Sequence, residues 1–175
     1  QYQSVISFPN CKINLGLNIT GKRSDGYHNL ETVFIPLDLK DVLEIIHAHT
    51  GTGPIQYSGS GHNIDTSSEN NLCVKAYHLL KKDFPQIPTI KLHLHKVIAT
   101  GAGLGGGSSD AAFTVLLLNT KFNLGLSIEQ LADYALQLGS DCPFFIYNKL
   151  CFATGRGEIL APVGLDFSDY KFLIV

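Results

Sequence analysis

Methionine is absent from all 175 residues, position 1 included, so the sequence is expected to lack its native N-terminus. No apolar run approaches the roughly 20 residues that a membrane-spanning helix needs, and Gln1-Tyr2-Gln3-Ser4 lacks the basic region and apolar stretch of a secretory leader. The expectation is a cytoplasmic protein with no membrane partner. Charge of one sign is also scarce: the formal net charge is -2 and the basic residues are scattered, which gives no general attraction to a nucleic-acid backbone. Any anion must therefore be held locally. Cys11, Cys73, Cys142 and Cys151 lie far apart with no C-x-x-C pair, so neither zinc nor a disulfide framework is implied, and reduced, mostly buried thiols are expected. An apolar fraction of 45% against 16% charged residues excludes a disordered chain. The length suits one ordinary core with the start of a second.

Glycine, by contrast, is concentrated. Gly101, Gly103, Gly105, Gly106 and Gly107 run with Leu104, Ser108 and Ser109 into the helix-forming segment Asp110-Ala111-Ala112. Main-chain N–H groups can converge there without Cβ obstruction, and the unpaired amides of a helix start favour an anion. A nucleotide triphosphate is the expected guest. A Walker A loop is excluded because no Lys follows Gly107. Gly101, Gly103 and Gly106 satisfy G-x-G-x-x-G, but no acidic residue follows at the distance a dinucleotide ribose requires.

Alternation of apolar and polar residues predicts a half-buried strand over 13–19 and further strands over 30–37, 42–46 and 90–94. Helical spacing predicts a helix over 72–80, entered through Glu69-Asn70-Asn71, and another over 111–118. Ser127 and Gln130 form a capping-box start for a third, ending at Gly139, and Pro143 starts a new one. Residues 51–68 read as a Gly/Ser-rich connection, and Lys171 to Val175 as a strand cut off in mid-course. His93 and His95, on one strand face, are either metal ligands or ordinary solvated residues.

Phosphoryl transfer to an alcohol needs a group near the acceptor hydroxyl that can take its proton. Asp141, among the apolar residues of Gly139-Ser140-Asp141-Cys142-Pro143-Phe144-Phe145, is the candidate; the competing reading is an N-cap. Lys12 sits in an apolar alternating strand, where its charge either meets a carboxylate or phosphate or stays in solvent at a sheet edge.

Three segments together resemble the GHMP kinase superfamily: Pro9-Asn10-Cys11-Lys12-Ile13-Asn14-Leu15 with Ser24-Asp25-Gly26-Tyr27-His28, the loop 101–109, and Leu138 to Phe145. The first of these and Ala153 to Leu160 resemble the branch acting on 4-diphosphocytidyl-2-C-methyl-D-erythritol. The resemblance spans nearly the whole chain. It implies an α+β fold of the ribosomal protein S5 domain 2-like type, with helices on a mixed sheet. Residues 1–160 would form the N-terminal ATP-binding and catalytic domain, and 161–175 the start of a C-terminal lobe that is largely missing, along with an aromatic over the cytosine. It also implies ATP-dependent phosphorylation of the 2-hydroxyl of that acceptor in the non-mevalonate isoprenoid route, by direct transfer, with Mg²⁺ accompanying ATP. Asp141 would orient and deprotonate the hydroxyl and Lys12 would stabilise charge on the moving group. Tyr27 and His28 would hold the cytosine, Asn14 the erythritol, and Asn71 and Lys96 would border the nucleotide. No metal ligands are assigned, although Ser108 or Ser109 could touch a metal or a phosphate oxygen. The loop departs from the family at Ala99 and Ala102, where Pro and Gly are common. Another GHMP kinase, or a nucleotide-binding fragment without chemistry, would share the loop.

Overall fold

The computed structural model describes residues 4–48, 53–62 and 70–174. In chain order these form β1 (Val5–Ser7), β2 (Asn10–Lys22), β3 (His28–Lys40), β4 (Val42–His47), β5 (Ile55–Gly61), α1 (Leu72–Asp83), β6 (Ile90–Lys96), α2 (Gly106–Phe122), α3 (Ile128–Leu138), α4 (Cys142–Tyr147), β7 (Cys151–Thr154) and β8 (Ile159–Pro162). Two four-stranded sheets result, ordered β1-β4-β6-β5 and β2-β3-β7-β8. The first is mixed, because β5 runs parallel to β6 while β1, β4 and β6 pair antiparallel. The second is antiparallel throughout.

Period-2 burial on β6 is clean: Ile90, Leu92 and Leu94 are buried with Leu43 and Ile45 of β4, and the helices cover this face through Ala76, Tyr77, Leu80, Val115 and Leu118. Lys91 and His95 point outward and His93 is half-buried. His93 and His95 are engaged by the hydroxyls of Ser58 and Ser60, at 2.8–3.0 Å. Among the described residues no group of three or more His, Cys, Asp or Glu side chains could hold a metal. All four cysteines are buried and free, and no described helix is long and apolar enough to cross a membrane.

Local signals place the helices well. Asn71 caps α1 by accepting from the Cys73 amide at 2.8 Å, and Ser127 and Gln130 close a reciprocal capping box on α3, which ends at Gly139. Three expectations change. The Gly/Ser-rich segment holds β5, since pairing with β6 overrides its weak strand propensity; its flanks at 51–52 and 63–68, like Glu69 of the helix entry, lie outside the described residues. Lys171 to Ile174 form no strand, and Val175 lies outside the described residues. The outer part of β2 is a strand but not half-buried: Leu15, Leu17 and Ile19 are 47%, 56% and 67% exposed.

Candidate functional site: a glycine loop with a Lys–Asp pair at its mouth

Strand β6 delivers the chain into the glycine loop, and the loop turns it into α2. Gly101, Gly103 and Gly105 all adopt left-handed φ, and Gly105, at +71°, is the N-cap of α2. A Cβ at Gly105 would lie 2.9 Å from Phe145 Cζ and 3.1 Å from Lys12 Cγ, so both the conformation and the close approach demand glycine. This geometry starts α2 at Gly106, five residues earlier than the apolar pattern at Ala111 suggests. The first helical bond with its amide donor in α2 runs from Ser109 N to Gly105 O at 2.9 Å. The amides of Gly106, Gly107 and Ser108 precede it, and no acidic side chain occupies the first turn. The helix thus presents its positive end at the loop. Ser108 is half-buried, whereas Ser109 is fully buried and its hydroxyl has no hydrogen-bond partner.

Lys12 adjoins this loop. Its backbone amide donates to Leu104 O at 2.9 Å, tying β2 to the turn. Although β2 is an edge strand, the residue is only 5% exposed. Its ammonium lies 3.4 Å from Asp141 Oδ2, donates to Asn14 Oδ1 at 2.6 Å, and sits 4.7 Å from the centre of the Phe34 ring. Charge, hydrogen bond and aromatic face together compensate its removal from water. Asn14 in turn donates to Thr32 Oγ1 at 3.1 Å. The edge-strand reading of a solvated lysine is therefore wrong here.

Asp141 precedes α4 and has αR backbone geometry with no side-chain cap hydrogen bond. It stands at the N-cap position of α4 without capping it through its side chain; its carboxylate faces Lys12 and keeps 29% of its side-chain surface open. The same segment touches the loop, since a Cβ at Gly139 would sit 3.9 Å from Ser108 Oγ. A partly open carboxylate beside a buried ammonium, at the mouth of an amide-lined turn, can take a proton from a hydroxyl while the cation balances charge developing on an incoming anion.

Lys96 behaves differently. It falls on the buried parity of β6, and its ammonium turns inward to Asp41 Oδ2 at 2.5 Å and Asp110 Oδ2 at 2.7 Å. Asp41 Oδ1 also accepts from the amides of Val97 and Ile98, at 2.6 and 2.9 Å, where the chain leaves β6. Burial pulls the Lys96 pKa down, but the two carboxylates outweigh it and the net shift is upward. Burial pushes Asp110 up to about 7, with Lys96 opposing and Asp41 adding to the rise. Two carboxylates share one cation, so a proton on Asp110 balances the cluster. Sequence reasoning missed Asp41 and Asp110; a lysine on the buried parity was the available signal, because such a charge requires partners.

At the far end of the hairpin Tyr27 is 59% exposed, which sets aside core packing, and His28 is exposed beside it. Arg23 holds Asp25 through Nε at 3.0 and 3.2 Å, Asp25 Oδ1 accepts from the Tyr27 amide, and Arg23 N donates to Tyr27 O. The Tyr27 backbone is thereby fixed while its ring stays open. Asn71 is spent on local contacts, capping α1 and donating to Tyr57 OH at 2.9 Å. It stands next to Leu72, whose Cδ1 would lie 3.9 Å from a Cβ at Gly107.

Residues 71–149 match the family described as GHMP kinases N terminal domain. The chain is 56% identical over 171 residues to the 4-diphosphocytidyl-2-C-methyl-D-erythritol kinase of Azobacteroides pseudotrichonymphae, and 54% identical to that of Bacteroides fragilis. Each alignment covers 98% of this chain and 62% of the relative; the chain thus spans about three fifths of their length. Among solved structures it matches a crystal structure of 4-(cytidine 5'-diphospho)-2C-methyl-D-erythritol kinase with a TM-score of 0.77 and 34% identity, covering 93% of this chain and 56% of that one. A Methanococcus jannaschii mevalonate kinase, at TM-score 0.62 and 16% identity, shares the fold over 95% of this chain and 58% of its own.

Proposed function

We propose that this chain, which carries the N-terminal domain of the GHMP kinases, supplies the nucleotide-binding and catalytic half of an ATP-dependent kinase acting on the 2-hydroxyl of 4-diphosphocytidyl-2-C-methyl-D-erythritol. The observation that carries the reading is the Lys12–Asp141 pair, 3.4 Å apart where Lys12 is bonded to the glycine loop. Residues 1–160 would form the ATP-binding and catalytic domain and 161–175 the start of a second lobe.

In this reading the terminal phosphates of ATP lie over the amides of the loop and the first turn of α2, from Gly101 and Gly103 through Leu104, Gly105, Gly106 and Gly107 to Ser108 and Ser109. Asn71 and Lys96 flank the nucleotide, Lys96 through its hold on the loop and not by direct contact. Asp141 accepts the proton of the acceptor hydroxyl as its oxygen attacks the γ-phosphorus in line and the bond to ADP breaks. Lys12 offsets the charge on the transferring group, and no phosphoenzyme forms. Asn14, oriented by Lys12 and Thr32, positions the polyol; Tyr27 and His28 take the cytosine. The half-buried Ser108 hydroxyl at the loop mouth is an oxygen donor that would suit a hard cation such as Mg²⁺ carried in on the phosphates, where it would neutralise their charge.

A coupled ATP-consumption assay with the protein carrying this chain, run against the cytidyl acceptor, mevalonate and homoserine, tests the proposal. Turnover with the cytidyl acceptor alone is expected; turnover with mevalonate or homoserine instead would assign the chain to another GHMP kinase, and nucleotide binding without turnover would leave a binding module.

A further inference from the structure

We propose that Arg156 is a binding residue for the diphosphate of the acceptor, a role that rests on the acceptor reading above. Arg156 lies in the turn between β7 and β8, and that turn touches both ends of the site. On one side is Gly157, whose φ is +113° and whose Cβ, were there one, would lie 2.8 Å from Asp141 Oδ1. On the other, Gly155 O accepts from Leu30 N, three residues from Tyr27 near the tip of the hairpin, and the Arg156 guanidinium stands 5.1 Å from the centre of the Tyr27 ring. The cation therefore sits where the pyrimidine end and the hydroxyl end of the acceptor have to be joined.

Its own contacts leave it with donors to spare. The carboxylate beside it, Glu158, is 3.7 Å from Arg156 Nε, beyond hydrogen-bond reach. The other oxygen of Glu158 accepts from the Arg156 backbone amide at 2.6 Å, so that carboxylate shapes the turn. Nε is buried without a hydrogen-bond partner, while 31% of the side chain remains open. Asp25, the other acid near Tyr27, is occupied by Arg23. A planar guanidinium with unused N–H groups matches the paired oxygens of a phosphate. Neither a neutral cytosine nor a polyol calls for a cation, but the diphosphate between them does.

The test is calorimetric titration of the protein carrying this chain with CDP and with cytidine, in the presence of a saturating non-hydrolysable ATP analogue that keeps CDP out of the glycine loop. Arg156→Met keeps an unbranched side chain of similar reach and removes the charge. It is expected to weaken CDP roughly tenfold to a hundredfold, the range of a lost charge-assisted hydrogen bond, while cytidine binds as before; Arg156→Lys should fall between. Unchanged CDP affinity in Arg156→Met, or an equal loss for CDP and cytidine, would overturn the assignment while the acceptor reading stands. Wild-type protein that binds neither CDP nor cytidine would overturn both.

Discussion

Two lysines flank the glycine loop, and the surroundings of each differ in a way that separates holding the loop from acting across it. Lys96, beneath the loop, meets two carboxylates that are 0% and 4% exposed. Lys12, at the mouth, meets one carboxylate that keeps 29% of its surface. The first cluster is closed to any ligand and links the end of β6 to α2. The second leaves its acid within reach of a substrate. Equal residue types thus divide into a fixed support and a working group according to how much of the partner stays open.

The largest expected effects would break this division. Asp141→Asn should lower kcat by roughly 10²- to 10⁴-fold, the range for a lost general base, with nucleotide affinity and melting temperature little changed. Lys96→Met should do the reverse first. It strands two buried carboxylates and should cost about 3–5 kcal/mol in denaturant unfolding; unchanged stability would show that the cluster supports nothing.

A smaller effect is expected at Gly157. Alanine there must adopt a φ of +113° and displace the Asp141 carboxylate, and a misplacement on the order of 1 Å can cost up to about 10²-fold in rate. Steady-state kinetics should show kcat falling while KM for ATP holds; a rise in KM for ATP alone would place the turn on the nucleotide side.

Asp110→Asn sharpens the comparison through pH. Because the folded pKa of about 7 lies above the ordinary carboxyl value of 3.8, the folded chain binds this proton more tightly than the unfolded one. The stability it contributes is complete below pH 3.8 and is lost as the pH rises through about 7. Melting temperatures measured between pH 4 and 8 should therefore fall less steeply in Asp110→Asn than in the wild type. Parallel curves would mean that Asp110 is not the titrating group. The smallest effect lies far from the site: Ser127→Ala removes the α3 capping box and should cost about 1 kcal/mol in the same unfolding assay.

What the sequence makes legible follows the range of the interaction. The Asn71 cap, the Ser127 box and the alternation on β6 are local and were readable directly. The resemblance brought Lys12, Asp141 and Tyr27 into one proposed site, and the fold places the first two 3.4 Å apart. Asp41 and Asp110 could not be read as partners of Lys96, since 55 and 14 residues separate them from it, and the pairing of β4 with β6 and the turn into α2 bring them together. The strand β5 is hidden for the same reason: Ser58, Gly59 and Ser60 have little strand propensity of their own, and their pairing depends on a neighbour more than 30 residues away. Exposure of Leu15, Leu17 and Ile19 is equally non-local, because alternation reveals a strand but not whether anything packs on its apolar side.

The pairing of Lys12 with Asp141 as one device at the loop mouth is tested most directly by a double-mutant cycle on kcat with Lys12→Met, Asp141→Asn and the two combined. Residues acting as a unit predict that the double variant is no slower than the slower single variant by more than about threefold. Fully multiplicative losses would contradict the pairing and leave two independent groups.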